Sequence, residues 1–381
     1  MDLTVGILPY RKSASGIATY TLELANALAS KEVNVYLIGF ETKNLNLSPN
    51  IEVIDLGKDP TKLEFLAFGP LFAYYIISKK LHKVVEEQKL SHEIDVFHFP
   101  LPAAAMKFKG KNIITTSWGH LTLSYMLFKT QKFFSFPKKF IVPFGFLQYS
   151  IADQIGYKKS QRIICVTTKV LQKLQNKYSE QAVYIPPGII MSNNLDECKK
   201  DSNISILFIS RDLELPKKNI ITLLKSIKLL ARNEIKSFSV TLVGKHSQRM
   251  KKMTDKIGIK IRLMPYIPRL ELSELYKTAD IFVCTSLYEE FGYVLLEAMS
   301  YGLPIVASDI PSFRDMIIDR KNGFLVQAKD PVACANALEK LIESHDLRMK
   351  MGRESYEIVK AKFDWNNLVK KYIKTYESTL V

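Results

Sequence analysis

EEFGYVLLEAMSYG, residues 289–302, is the stretch whose reading decides the fold. Two carboxylates, Glu289 and Glu290, come before a Phe291-Gly292 pair. An apolar run follows with a third carboxylate, Glu297, inside it, and Gly302 ends the stretch. Upstream, DIFVCTS at 280–286 is an apolar, β-branched run of strand type. The chain thus passes from a strand through the loop LYEE into a helix that opens at Phe291-Gly292 and closes on a C-terminal glycine. The free N–H groups at such a helix start, those of Tyr293 and Val294 among them, form an anion site, and Gly292 lets a phosphate approach the backbone. Glu289 lies in the loop and points beyond the strand ends. Glu297 sits about one and a half turns along, among Leu295, Leu296 and Met299. Residue chemistry leaves two readings of it: a satisfied structural carboxylate, or an acceptor for two adjacent hydroxyls such as those of a ribose.

The same strand-then-helix pattern repeats on both sides of this stretch. In the first half the strand-like runs are at 2–8, 33–40, 51–56, 95–99, 112–116, 162–166 and 182–186. SGIATYTLELANALASK is an amphipathic helix between the first two, with Ile17, Tyr20, Leu22, Leu24 and Leu28 available to a core. In the second half the strands are at 204–210, 239–244, 261–266, 280–286 and 304–309, alternating with helices at 219–233, 271–278, 292–300 and 331–343. Such alternation predicts an α/β fold of two doubly wound parallel sheets, with ligands beyond the carboxyl ends of the strands, in a cleft between two facing domains. Pro186-Pro187-Gly188 and the polar stretch after it read as the linker. The boundaries are 1–188 and 189–363, and a final helix at 364–381 is expected to pack back on the first domain.

Bulk properties agree with this reading. A chain of 381 residues is long for one domain. MDLTVGILPYRKS reads as a strand and loop rather than a signal peptide. The longest apolar run, 66–77, is too short to cross a bilayer and contains Gly-Pro. Cys165, Cys198, Cys284 and Cys334 lack metal-ligand spacing and imply free thiols in a reducing, cytoplasmic compartment. The net charge of +16 fits an anionic substrate, an anionic membrane surface, nucleic acid, or simply a solvated lysine surface. Residues 121–160 hold six lysines and one acid among seven phenylalanines. This pattern fits docking on lipid head groups, or else core phenylalanines under solvated lysines. Nothing else points to nucleic acid.

The string EEFGYVLLEAMSYGLPIVASD resembles the signature of the retaining glycosyltransferases of family 4, the glycogen-synthase-like and phosphatidylinositol-mannosyltransferase-like group. Those enzymes have the GT-B architecture, two Rossmann-like domains. The resemblance covers most of the chain and thins between about 40 and 110. It implies that Glu289 contacts donor-sugar hydroxyls and that Glu297 binds the nucleotide ribose. The backbone of Phe291 and Gly292 is expected beside sugar and diphosphate. Glu290 replaces the family's usual small residue or proline and is expected to point to solvent. In FISRDLELPKKNI, Arg211 and Lys218, or its neighbour Lys217, match the pair that neutralises the donor diphosphate. Two cations stabilise a leaving diphosphate without a metal, and no Asp-x-Asp motif ends a strand.

Gly16, in SASGIATY, stands where the family has a glycine-rich loop, and is expected to offer its N–H to diphosphate or acceptor. Tyr266, Ile267 and Pro268 fall where the family holds the nucleobase by backbone contacts. The family often places a histidine near the reacting carbon; His120 is the candidate here, while direct register puts Trp118 there. DIPSFRDMI at 309–317 departs from the family's glycines and Glu, so the roles of Arg314 and Asp315 stay open. The resemblance implies metal-independent hexose transfer, with the sugar nucleotide (UDP-, GDP- or ADP-linked) as substrate and no cofactor. The acceptor would be a hydroxyl of a glycan, a glycolipid or a lipid-linked oligosaccharide. Two rival readings use the same scaffold. An epimerase or hydrolase would want an acid/base pair in the first domain, and none is legible. A non-catalytic nucleotide-binding partner subunit would have no need of Arg211, Lys218, Glu289 and Glu297 together.

Overall fold

The structure is a computed structural model that describes residues 3–11, 16–42, 45, 47–59, 70–119, 138–191, 203–235 and 237–380. Residues 10–11, 138–146 and 270 are described by their backbone alone. The chain divides into two compact units, Met1–Gly188 with Trp365–Val381, and Ile189–Asp364.

In chain order the first unit contains β1 (Thr4–Arg11), α1 (Gly16–Ala29), β2 (Asn34–Phe40), β3 (Ile51–Asp55), α2 (Pro70–Glu87), β4 (Val96–Phe99), β5 (Ile113–Ser117), α3 (Lys138–Lys159), β6 (Arg162–Cys165), α4 (Thr168–Tyr178) and β7 (Ala182–Tyr184). Its strands form one parallel sheet in the order β3-β2-β1-β4-β5-β6-β7. The second unit contains β8 (Ile204–Asp212), α5 (Ile220–Arg232), β9 (Phe238–Lys245), α6 (Gln248–Thr254), β10 (Ile261–Met264), α7 (Ser273–Thr278), β11 (Ile281–Cys284), α8 (Tyr293–Ser300), β12 (Ile305–Ser308), β13 (Gly323–Val326), α9 (Pro331–Glu343) and α10 (His345–Lys362). Its sheet, also parallel, runs β10-β9-β8-β11-β12-β13. The central strands are apolar on both faces because helices cover both; β11 and β12 are buried at every position. In the second unit the sequence reading missed β13, α6 and α10.

Each sheet reverses its order once, between β1 and β4 and between β8 and β11, which are the switch points where doubly wound sheets bind ligands. Both switch points are closed at their opposite end by the same device. Asp95 precedes β4; its N–H donates to Thr4 O at 3.0 Å, and its Oδ2 accepts the Thr4 N–H at 2.9 Å. Asp280 precedes β11 and does the same with Ser205, at 2.8 Å in both directions. One carboxylate thus satisfies a backbone donor that the ladder would leave open.

The last helix, α11 (Trp365–Glu377), belongs to the first unit and packs on α1. Trp365 Nε1 donates to Glu23 Oε2 at 2.9 Å. The Tyr376 hydroxyl is 2.7 Å from His98 Nδ1, His98 Nε2 is 2.7 Å from Thr116 Oγ1, and Thr116 Oγ1 is 2.8 Å from the Tyr20 hydroxyl. Burial holds the His98 imidazole neutral, with its pKa down at about 3. Cys165, Cys284 and Cys334 are free, buried thiols, and burial pushes Cys165 up to about 12 and Cys334 to about 11. Cys198 lies outside the described residues. Among those residues no helix is long and apolar enough to cross a membrane.

Candidate active site

A polar cluster of lysines and acids lies where β8 and β11 end, at the switch point of the second sheet. β8 carries Arg211 to its carboxyl end, where the side chain is exposed. The chain then tightens into a short 3-10 turn, Pro216–Lys218, and passes through Asn219 at φ 49° into α5. This turn is stitched to the loop after β11. Leu287 N–H donates to Lys217 O at 2.7 Å. Asn219 Nδ2 donates to Thr285 O at 3.2 Å, and the Thr285 hydroxyl lies 3.0 Å from Asn219 O. Backbone bonds therefore fix where the two lysines meet the acids.

Lys218 Nζ donates to Glu289 Oε1 at 2.6 Å, and the Ser286 hydroxyl donates to the same oxygen at 2.9 Å. Lys217 Nζ is 3.5 Å from Glu289 Oε2. The Lys218 side chain is only 13% exposed and that of Glu289 10%. Burial works against the Lys218 charge, but the Glu289 carboxylate outweighs it and holds the ammonium above the ordinary lysine range. Glu290 does not point freely to solvent as the sequence suggested. Its carboxylate sits 3.8 Å from Lys217 Nζ and its side chain is 31% exposed, because a second acid beside a lysine pair lowers the local excess of positive charge.

Helix α8 starts from Gly292 at φ 108°, ψ 53°. A Cβ there would lie 2.7 Å from Phe313 Cε1, so the position needs glycine on both counts. Phe291 buries its ring against Tyr293 and Phe363, leaving its backbone as the part available to a ligand. The first i→i−4 bond of the helix runs from Leu296 N–H to Gly292 O, so the N–H groups of Tyr293 and Val294 precede the intrahelical ladder.

Glu297 is buried and has partners of its own. Arg269 Nε donates to its Oε1, and the Tyr276 hydroxyl donates to its Oε2 at 2.6 Å. Burial and then the Glu297 charge push the Tyr276 phenol well above its usual range. The Arg269 guanidinium lies 5.8 Å from the centre of the Tyr293 ring. The sequence reading missed Arg269, Tyr276 and Ser286. Arg269 follows directly on the Tyr266–Pro268 loop, and that adjacency was its one available signal. Tyr266 itself is exposed and Ile267 half-buried, just past the end of β10.

In the first unit Gly16 is exposed at the start of α1. Trp118, the residue in direct register with the family histidine, is 3% exposed and donates from Nε1 to Pro100 O at 2.9 Å. Its ring meets Tyr20 edge-on, so it is a core residue. His120 and residues 121–137 lie outside the described residues. Arg314 pairs with Asp309 through two bonds, 2.6 and 2.9 Å, at the surface.

Two family models match the chain in tandem, "Glycosyltransferase Family 4" over residues 14–192 and "Glycosyl transferases group 1" over residues 195–358. Among curated relatives, a D-inositol 3-phosphate glycosyltransferase of Corynebacterium urealyticum is 32% identical over 131 residues, 34% of this chain and 31% of that one. The chain spans about a third to a half of the length of the first curated relatives it matches. Among solved structures, the sucrose-phosphate synthase of Thermosynechococcus elongatus superposes with a TM-score of 0.76 at 17% identity, over 99% of this chain and 98% of that one. Anabaena HepE, solved in complex with UDP-glucose, gives 0.68 at 16% identity, over 99% and 100%. With two parallel-sheet units of the GT-B kind and both family models in sequence along it, the chain belongs to the family 4 glycosyltransferases.

Proposed function

We propose that this protein is a retaining, metal-independent glycosyltransferase that moves a hexose from a sugar nucleotide to an acceptor hydroxyl. The observation that carries the reading is the Lys218–Glu289 pair, a largely covered cation and a carboxylate locked side by side at the switch point of the second sheet. A donor needs both next to each other: positive charge for the diphosphate, and a hydrogen-bond acceptor for the sugar hydroxyls. UDP-glucose bound to a structural neighbour of the same fold supports a donor of this class.

In this reading Arg211 and Lys218 stabilise the charge that builds on the diphosphate as the bond from the sugar's anomeric carbon to phosphate oxygen breaks. Lys217, Gly292 and the N–H groups of Tyr293 and Val294 support the same group. Glu289 orients the sugar and Glu297 the ribose, while Tyr266 and Ile267 line the base. The acceptor oxygen forms its bond on the face the diphosphate leaves, and its proton passes to the departing phosphate oxygen. Gly16 offers its N–H to the diphosphate or the acceptor, and His120 stands near the reacting carbon. The basic, aromatic segment at 121–160 suits a glycolipid or lipid-linked acceptor reached from an anionic membrane surface, with the enzyme peripheral on its cytoplasmic face.

A thermal-shift panel of UDP-, GDP- and ADP-sugars without divalent metal tests the donor site. One nucleotide should raise Tm, and Glu297→Ala should abolish the shift. A panel with no shift at any concentration up to millimolar would remove the donor assignment.

A further inference from the structure

Arg269 stands where the base loop and the ribose acid meet. It follows directly on the Tyr266–Pro268 loop, its Nε donates to Glu297 Oε1, and its guanidinium lies against Tyr293 at the start of α8. Tyr276, from α7, donates to the other carboxylate oxygen. Each carboxylate oxygen has two lone pairs. Arg269 and Tyr276 take one on each, so the carboxylate plane is fixed and each oxygen keeps a lone pair in a set direction. Tyr276 cannot turn away, because its ring is buried and stacked on Tyr301 at 5.3 Å.

We propose that Arg269 is a positioning residue for ribose recognition: with Tyr276 it holds Glu297 in the one orientation that accepts from both ribose hydroxyls, and it ties that orientation to the loop lining the base. The inference rests on the reading of Glu297 as the ribose acceptor. A nucleotide lacking ribose hydroxyls leaves the fixed carboxylate without its donors.

The test is calorimetric titration of the wild type with UDP, GDP and ADP, then with the 2′,3′-dideoxy form of whichever binds tightest. The same two ligands are then measured on Arg269→Gln, Arg269→Lys and Tyr276→Phe. Wild type should prefer the ribonucleotide by about tenfold or more. Arg269→Gln should weaken the ribonucleotide by about that factor and leave the dideoxy form within about twofold, so that the preference collapses. Arg269→Lys should restore part of it. Equal weakening of both ligands, or no weakening, in Arg269→Gln would overturn the inference while leaving the donor site standing. A wild type that binds a nucleotide without ribose preference overturns it together with the Glu297 role. A wild type that binds none of the three overturns the donor site as well. Should Arg269→Gln melt below assay temperature, Tyr276→Phe decides by the same ratio, since it removes the other fixed donor.

Discussion

Lys218 keeps its charge in a place where burial opposes it, because Glu289 lies 2.6 Å away. Its pKa in the folded protein is above that of the unfolded chain. The pair therefore contributes its full stability below the ordinary lysine value and loses it only as pH rises through the folded one. Between pH 6 and 9 the ammonium is constant, and no change of rate there originates at Lys218. Lys218→Ala removes the cation nearest Glu289 and should lower kcat/KM for the donor by about 10²–10³, read as donor hydrolysis or transfer. Arg211→Ala is expected to depress kcat while the donor Kd stays within about threefold, the sign of an interaction made as the leaving group gains charge. The family resemblance assigns Lys218 and Glu289 separate roles at one donor site, and their direct pairing at 2.6 Å is a finding of the structure. The hold of Arg269 on Glu297 was not legible in the sequence, since it depends on the path of a loop rather than on strand ends. Glu290 was misread for a related reason: the position of Lys217 across the cluster is set by bonds from Leu287 and Thr285 that no spacing rule contains.

At the scale of elements, periodicity found the long apolar strands and missed those whose signal is weak. β13 is four residues, GFLV, close behind the polar Lys321-Asn322. α10 is mostly polar and has Gly352 in its middle, which argues against a helix by propensity. The glycine is there for packing: a Cβ at 352 would lie 2.1 Å from Gly302 O at the end of α8. Between α1, β4, β5 and α11 runs the Tyr376–His98–Thr116–Tyr20 chain of hydrogen bonds, and burial keeps its imidazole neutral. Its pKa falls from the ordinary 6.5 to about 3 on folding. The unfolded chain therefore binds the extra proton first, and stability falls as pH drops below about 6.5. From pH 7.5 to 5 the loss due to His98 should be about 2 kcal/mol. Urea melts across that range check it: His98→Gln should be less stable at neutral pH yet show a shallower loss towards pH 5.

The whole molecule is two units, one of them assembled from both ends of the chain. Trp365 opens the returning segment. Its ring lies so close to Gly188 that a Cβ there would meet it at 2.6 Å, and its Nε1 is bonded to Glu23. Trp365→Ala should cost about 3–5 kcal/mol and fall on the first unit alone. Calorimetry should then resolve two transitions, with the second unit's midpoint unchanged, and a single transition shifted as a whole would show that the units unfold together. The discontinuity also sets an order of synthesis. The first unit's sheet leaves the ribosome early, yet the helix that carries Trp365, Tyr372 and Tyr376 into it emerges only after residues 189–364. At ordinary translation speeds that is a delay of about 10–35 s. During that interval Tyr20 and His98 lack the Trp365, Tyr372 and Tyr376 side chains that meet them in the folded unit.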